Sequence, residues 1–151
     1  MFKQGQLLKF TPFSFKNGAN PKPKYFIVLG KLKEDVVIAS LPTSKDHIPD
    51  TINIGSGCIN DIERNVNAYI FSEDVLVTDT FSFPRKTFVY AEQVDEYSCD
   101  YLSNMHSNIV NLGQIFPELF NSLIDCLRSS CMLKRKYRNV LSAPYIRKQS
   151  F

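Results

Sequence analysis

Tryptophan is missing from this 151-residue chain, and histidine is scarce, with His47 and His106 far apart. Two distant imidazoles do not make a zinc-ligand set, and Cys58, Cys99, Cys126 and Cys131 show no CxxC spacing that would join them. In a reducing compartment these thiols read as core filling or inert surface, and a disulfide framework would call for an export signal. Met1 to Gly5 lacks the charged-then-apolar pattern of such a signal, and no apolar run approaches the roughly 20 residues of a membrane span. A cytoplasmic protein that engages no membrane is the expectation. The GxSxG, Walker, HExxH and glycine-rich dinucleotide motifs are absent too. The acids form no DxD-like pair beside a histidine, which disfavours a metal-dependent nuclease, and neither metal nor cofactor is implied.

Acid is also absent from both ends. Lys3, Lys9, Lys16, Lys22, Lys24, Lys31 and Lys33 precede the first carboxylate, and six basic residues lie from Lys134 to the last residue with no acid among them. The net charge of +3 therefore hides a segregation, because all fifteen acids lie in between. Two basic zones flanking an acidic body suit contact with an anionic partner through chosen surfaces, against the plainer reading of scattered solubilising charge.

The length suits one domain with an appendage, set here at residues 1–131 followed by a basic tail, 132–151. Short apolar runs predict strands at 6–10, 25–29, 36–41, within "TINIGSGC", and at 68–71, 75–77 and 87–90. The runs at 25–29 and 36–41 form a central hairpin buried on both faces or nearly so. "TPFSFKNGANPKPK" reads as a long loop. Closely spaced short strands of this kind point to a small, bent antiparallel sheet or barrel. Ile115, Phe116, Leu119, Phe120, Leu123, Ile124 and Leu127 recur at three- and four-residue steps with Pro117 in the first turn, which predicts an amphipathic helix closing that core or offering a groove to a partner. A shorter helix is expected within 95–107. In the tail, Lys134, Arg135, Lys136 and Arg138 interleave with Tyr137 and Tyr145, a mixture that suits RNA or, equally, a solvated helix end.

Metal-free cleavage of RNA needs the substrate 2′-hydroxyl deprotonated, charge at phosphorus stabilised, and a proton for the leaving oxygen. Antiparallel pairing of the central hairpin brings Lys22 and Lys24, at the start of one strand, beside Thr43, Ser44, Lys45 and His47, at the end of the next. The long loop, with Lys16, would lie next to them. His47 is a candidate proton carrier or a merely exposed side chain, and Arg85 and Lys86 are further phosphate contacts or turn residues.

Gly5-Gln6-Leu7-Leu8, then Lys24-Tyr25-Phe26-Ile27-Val28-Leu29-Gly30, then Val36 to Leu41 with Pro42-Thr43-Ser44, resemble in order and spacing the MazF/PemK family of toxin-antitoxin ribonucleases. "TFVYAEQVDEYS" is similar to a later strand of that family. The resemblance implies an SH3-like antiparallel β-barrel with a C-terminal amphipathic helix. It implies a homodimer that cuts single-stranded RNA without metal, inhibits growth, and is neutralised by an antitoxin protein. Thr43 carries over directly. The family's arginine does not: its ungapped position is Lys24, and a two-residue shift makes Lys22-Pro23 the counterpart of Arg-Pro. Side chains alternate along a strand, so either register delivers a cation to the same face. A module of the same barrel that binds nucleic acid or protein without cutting is the alternative.

Overall fold

Strict alternation in the first third of the chain builds the larger of two sheets. In the computed structural model, which describes residues 2–48, 56–105 and 108–141, β1 (Gln6–Phe13), β2 (Lys22–Lys33) and β3 (Val36–Ser40) pair antiparallel, with β3 turning back after Glu34-Asp35. Along β2, Ile27 and Leu29 point into one apolar cluster with Leu7 and Ile38, while Phe26 and Val28 point into another with Leu8, Phe10, Val37 and Ala39. Period-two geometry sends successive residues to opposite faces, so this sheet is buried on both. Each large apolar side chain so enclosed contributes about 1.5–3 kcal/mol.

β7 (Asp95–Ser98) joins the sheet beside β3 and β8 (Ile109–Gln114) beside β1, giving the order β7-β3-β2-β1-β8. The second sheet has the order β4-β5-β6, from Gly57–Asp61, Val66–Phe71 and Thr87–Tyr90. The molecule is thus mainly β in two antiparallel sheets, and no closed barrel is formed among the described residues; the sheets share the first apolar cluster, and an isolated bridge joins Thr43, beyond the end of β3, to Phe88 of β6. Residues 75–77, expected as a strand, run through turns instead, with Leu76 and Ser82 making one isolated bridge. The predicted short helix is split: β7 occupies the first half, and α1 (Cys99–Ser103) begins where the Ser98 hydroxyl accepts the Tyr101 amide. β8 was not legible as a strand because Asn111, Gly113 and Gln114 break its apolar pattern. Of the strand expected in "TINIGSGC", residues 51–55 lie outside the described residues and pairing starts at Gly57.

The helix expected from the late apolar stripe is α2 (Pro117–Arg128), with Pro117 in its first turn. Phe120, Leu123, Ile124 and Leu127 face the first cluster. Cys126 lies on the same face, and its Cα comes within 5.5 Å of that of Cys58 on β4, a span that fits the disulfide joining them. The expectation of four thiols is thereby corrected: α2 packs across β4 and β5 and closes a 68-residue separation that sequence spacing cannot reveal. Cys99 and Cys131 remain thiols. Such a bridge persists in oxidising surroundings and is opened in a reducing cytosol, so it is at odds with the expected compartment. No helix among the described residues is long and apolar enough to cross a membrane.

The segment that begins the expected tail is packed as far as it is described. α3 (Arg135–Val140) seats Tyr137 in the first cluster, along with Leu133 and Leu141. Gly30 makes this close approach feasible, since a Cβ there would lie 3.1 Å from the Leu141 Cδ2. Residues 142–151, with Tyr145, fall outside the described residues.

Candidate functional site

The pairing of β2 with β3 sets Ile27 opposite Ser40. Three residues further along each strand, beyond the last paired position, that register faces Lys24 toward Thr43. Thr43 is fixed in turn by β6, its amide donating to the Phe88 carbonyl at 3.0 Å and its carbonyl accepting the Phe88 amide at 2.7 Å. A cavity of about 660 Å³ opens at this junction, within the size range of small-ligand sites. β2 contributes Lys22 and Lys24 to its wall, the segment after β3 contributes Thr43, Ser44 and Lys45, and the approach to β6 contributes Arg85. Lys9 of β1 adds a fifth cation. Apolar wall comes from Tyr25 and from Pro23, Pro42 and Pro84, and no Asp, Glu, His or Cys is among the described lining residues.

Local hydrogen bonds hold the far side in shape. The Thr43 hydroxyl accepts the Lys45 amide at 3.1 Å, a turn typical of threonine, which leaves the hydroxyl hydrogen to donate to an anion. Tyr90 braces the next residues, accepting the His47 amide at 2.9 Å and donating its own hydrogen to the Lys45 carbonyl at 2.8 Å. Thr87 donates to the Arg85 carbonyl at 2.8 Å. The Lys9 ammonium stands 5.4 Å from the centre of the Tyr25 ring, a cation–π contact.

Lys24 is the cation that the site destabilises. It is half-buried, and that burial, followed by the charges of Lys22 and Lys45, pulls its pKa below the usual lysine value. Burial also pushes the Tyr25 phenol up, so it stays protonated at neutral pH.

Lys22, Lys24, Thr43, Ser44, Lys45 and Arg85 are therefore brought together, whereas His47, Lys86 and Lys16 are not part of the lining. His47 is exposed, its ring 5.5 Å from that of Tyr90. Lys16 lies against β7, paired with Asp95 at 2.9 Å and 4.4 Å from the centre of the Tyr97 ring. The start of its loop does lie beside the cation cluster, Phe13 pairing with Lys22 and the Phe15 ring centre lying 5.9 Å from the Lys22 ammonium. But Phe13 packs on Tyr97 and Phe15 on Phe13, with the Ser14 carbonyl accepting the Tyr101 hydroxyl, and Lys16 is carried to β7. Burial of two aromatic rings decides the path of that loop.

Lys9, Tyr25 and Thr87 were not anticipated. Lys9 could have been found, because it interrupts an apolar run and pairs across the strands with Tyr25. Arg85 had no such signal; what places it is the junction of two sheets. No family model, no curated protein and no solved structure matches this chain.

Proposed function

We propose that the cavity at the sheet junction is the site of a metal-independent endoribonuclease of the MazF/PemK type, acting on single-stranded RNA. The observation that carries this is the convergence of five cations and three aliphatic hydroxyls on one cavity with no carboxylate among its described lining residues. A polyanion has something to gain there, since each phosphate finds charge that no protein acid neutralises. On this reading the two sheets and α2 are an open form of an SH3-like barrel with a C-terminal helix, the active species is a homodimer, and an antitoxin protein silences it.

The chemistry follows from the positions. The substrate 2′-hydroxyl attacks the adjacent phosphorus, negative charge builds on the phosphoryl oxygens, and the 5′-oxygen departs. Lys24 or Lys22, with Lys45 and Arg85, supplies positive charge at the phosphorus, and stabilisation of this kind is commonly the largest single contribution to catalysis. The Thr43 hydroxyl donates to a phosphoryl oxygen and Ser44 helps to position it. The purified protein, free of any antitoxin, should cut mixed-sequence single-stranded RNA equally well with and without EDTA and leave 2′,3′-cyclic phosphate ends. Intact RNA under both conditions would sink the proposal.

One observation favours a second reading, a binding module that cuts nothing. The described lining residues include no imidazole and no carboxylate, the groups that usually move protons. A binder would retain RNA in a salt-dependent complex and release it unchanged.

A further inference from the structure

The ribonuclease reading leaves open which group removes the proton from the 2′-hydroxyl. His47, the sole described histidine, is outside the cavity wall, and no carboxylate or thiol is among the described lining residues. Arg85 cannot serve, because a guanidinium does not give up its proton in a protein. The Tyr25 phenol is held protonated by burial, and the threonine and serine hydroxyls are weaker bases still. Among the described lining groups, the amines remain.

The four lysines of the wall differ in their surroundings. Lys22 and Lys45 are exposed. Lys9 lies against the Tyr25 ring. Lys24 is half-buried, faces Thr43 by the register of β2 and β3, and is repelled by Lys22 and Lys45, with Lys9 and Arg85 in the same wall and no acid among its described residues.

We infer that Lys24 is the general base of the cleavage step, while Lys22, Lys45 and Arg85 carry the phosphate. This rests on the ribonuclease reading and deepens it. The lone pair of the neutral Lys24 amine takes the 2′-hydroxyl proton, the 2′-oxygen bonds to phosphorus, and the bond from phosphorus to the 5′-oxygen breaks. The leaving oxygen takes a proton from water, and the Lys24 ammonium returns its proton to solvent. The depressed Lys24 pKa supports this assignment, since it raises the fraction of neutral amine available near pH 7. A lysine here then differs in kind from an arginine, which could only hold charge.

The test compares Lys24→Arg with the unmodified protein on mixed-sequence single-stranded RNA, using single-stranded DNA of the same sequences as an uncleavable binding probe. Lys24→Arg is expected to bind the DNA within about twofold while cutting RNA at least about 100-fold more slowly, the usual range for loss of a general base. The unmodified enzyme should gain about tenfold in rate per pH unit and level off below pH ~10.4, where an ordinary lysine titrates. If Lys24→Arg misfolds, Lys24→Ala serves: ethylamine should restore its cutting in proportion to the free amine, whereas guanidinium should not. An arginine variant that cuts within threefold of the original, or an alanine variant restored by guanidinium, overturns the base assignment and leaves the ribonuclease standing. An unmodified protein that binds the DNA but cuts no RNA overturns both.

Discussion

Two lysine-rich regions of this molecule treat charge in opposite ways. Around β7 and α3, Lys16 meets Asp95 at 2.9 Å and Lys136 meets Glu96 at 2.6 Å, and the buried Tyr137 hydroxyl reaches Glu96 at 3.1 Å. At the sheet junction, Lys9, Lys22, Lys24, Lys45 and Arg85 share a wall with no acid among its described residues. The chain has fifteen carboxylates to distribute, so the contrast comes from where the fold puts them. In the first region cations fasten a loop and a helix to a sheet edge. In the second they repel one another, and an anionic ligand would relieve that repulsion.

The fastened region is where a substitution should cost most stability. Tyr137→Ala removes a ring seated in the main core and is expected to cost about 3–5 kcal/mol, by analogy with other large-to-small aromatic changes. Tyr137→Phe keeps the ring and should cost about 1 kcal/mol for the lost hydrogen bond. Urea midpoints would measure both. Equal losses would show that the hydroxyl, rather than packing, holds α3. The carboxylates add a pH dependence. Burial pushes the Asp95 carboxyl up, but the Lys16 ammonium and the Glu96 amide hold it below its ordinary value; the Lys136 ammonium does the same for Glu96 against a smaller effect of burial. Groups depressed in the folded state contribute stability above their unfolded pKa and lose it as pH falls through the folded value, so this region should loosen below about pH 4.

The cavity should respond in binding rather than in folding. Lys22→Glu combined with Lys45→Glu places two acids in the wall and should weaken single-stranded RNA binding by roughly 100-fold, and the loss of two phosphate contacts should flatten the salt slope by about 1.4. Lys16→Ala, which breaks an ion pair away from the wall, should leave affinity within about twofold. Fluorescence anisotropy at several salt concentrations decides it. If Lys16→Ala weakens binding as much as the double variant, RNA runs along β7 and the contrast between the two regions collapses.

Part of this contrast was legible in the sequence. The hairpin of β2 and β3 follows from two apolar runs and a charged turn, and its pairing alone brings Lys22 and Lys24 toward Thr43, Ser44 and Lys45. Local periodicity carried that much, as it did for α2. What it could not carry is contact between distant segments. Arg85 reaches the cavity because Phe88 bridges to Thr43, Lys16 leaves it because Phe13 and Phe15 pack near Tyr97, and Cys58 meets Cys126 because α2 crosses β4. Each of these depends on how sheets and helix dock, which no window of a dozen residues records. Tyr137 shows the same limit from the other side, since a basic stretch with an aromatic looks like a solvated tail until its ring is found in the core.

The smallest predicted effect bears most directly on why the cavity is left unpaired. Lys24 has a folded pKa below its unfolded one, so while it is protonated the folded state bears the penalty of a half-buried, repelled charge. As pH rises through the folded value toward that of a free lysine, the folded protein sheds the proton first and the penalty lifts. Lys24→Gln should therefore raise the melting temperature at pH 7, by an amount worth well under about 1 kcal/mol once solvent screening is allowed for, and the advantage should shrink toward pH 10. Differential scanning calorimetry of the two proteins at both pH values measures it. A glutamine variant that is less stable at pH 7 would mean that Lys24 has a compensating partner, and the cavity would then be built like the β7 region. A more stable variant would show that folding alone does not favour this lysine, which is the pattern expected where a side chain is kept for a ligand rather than for the fold.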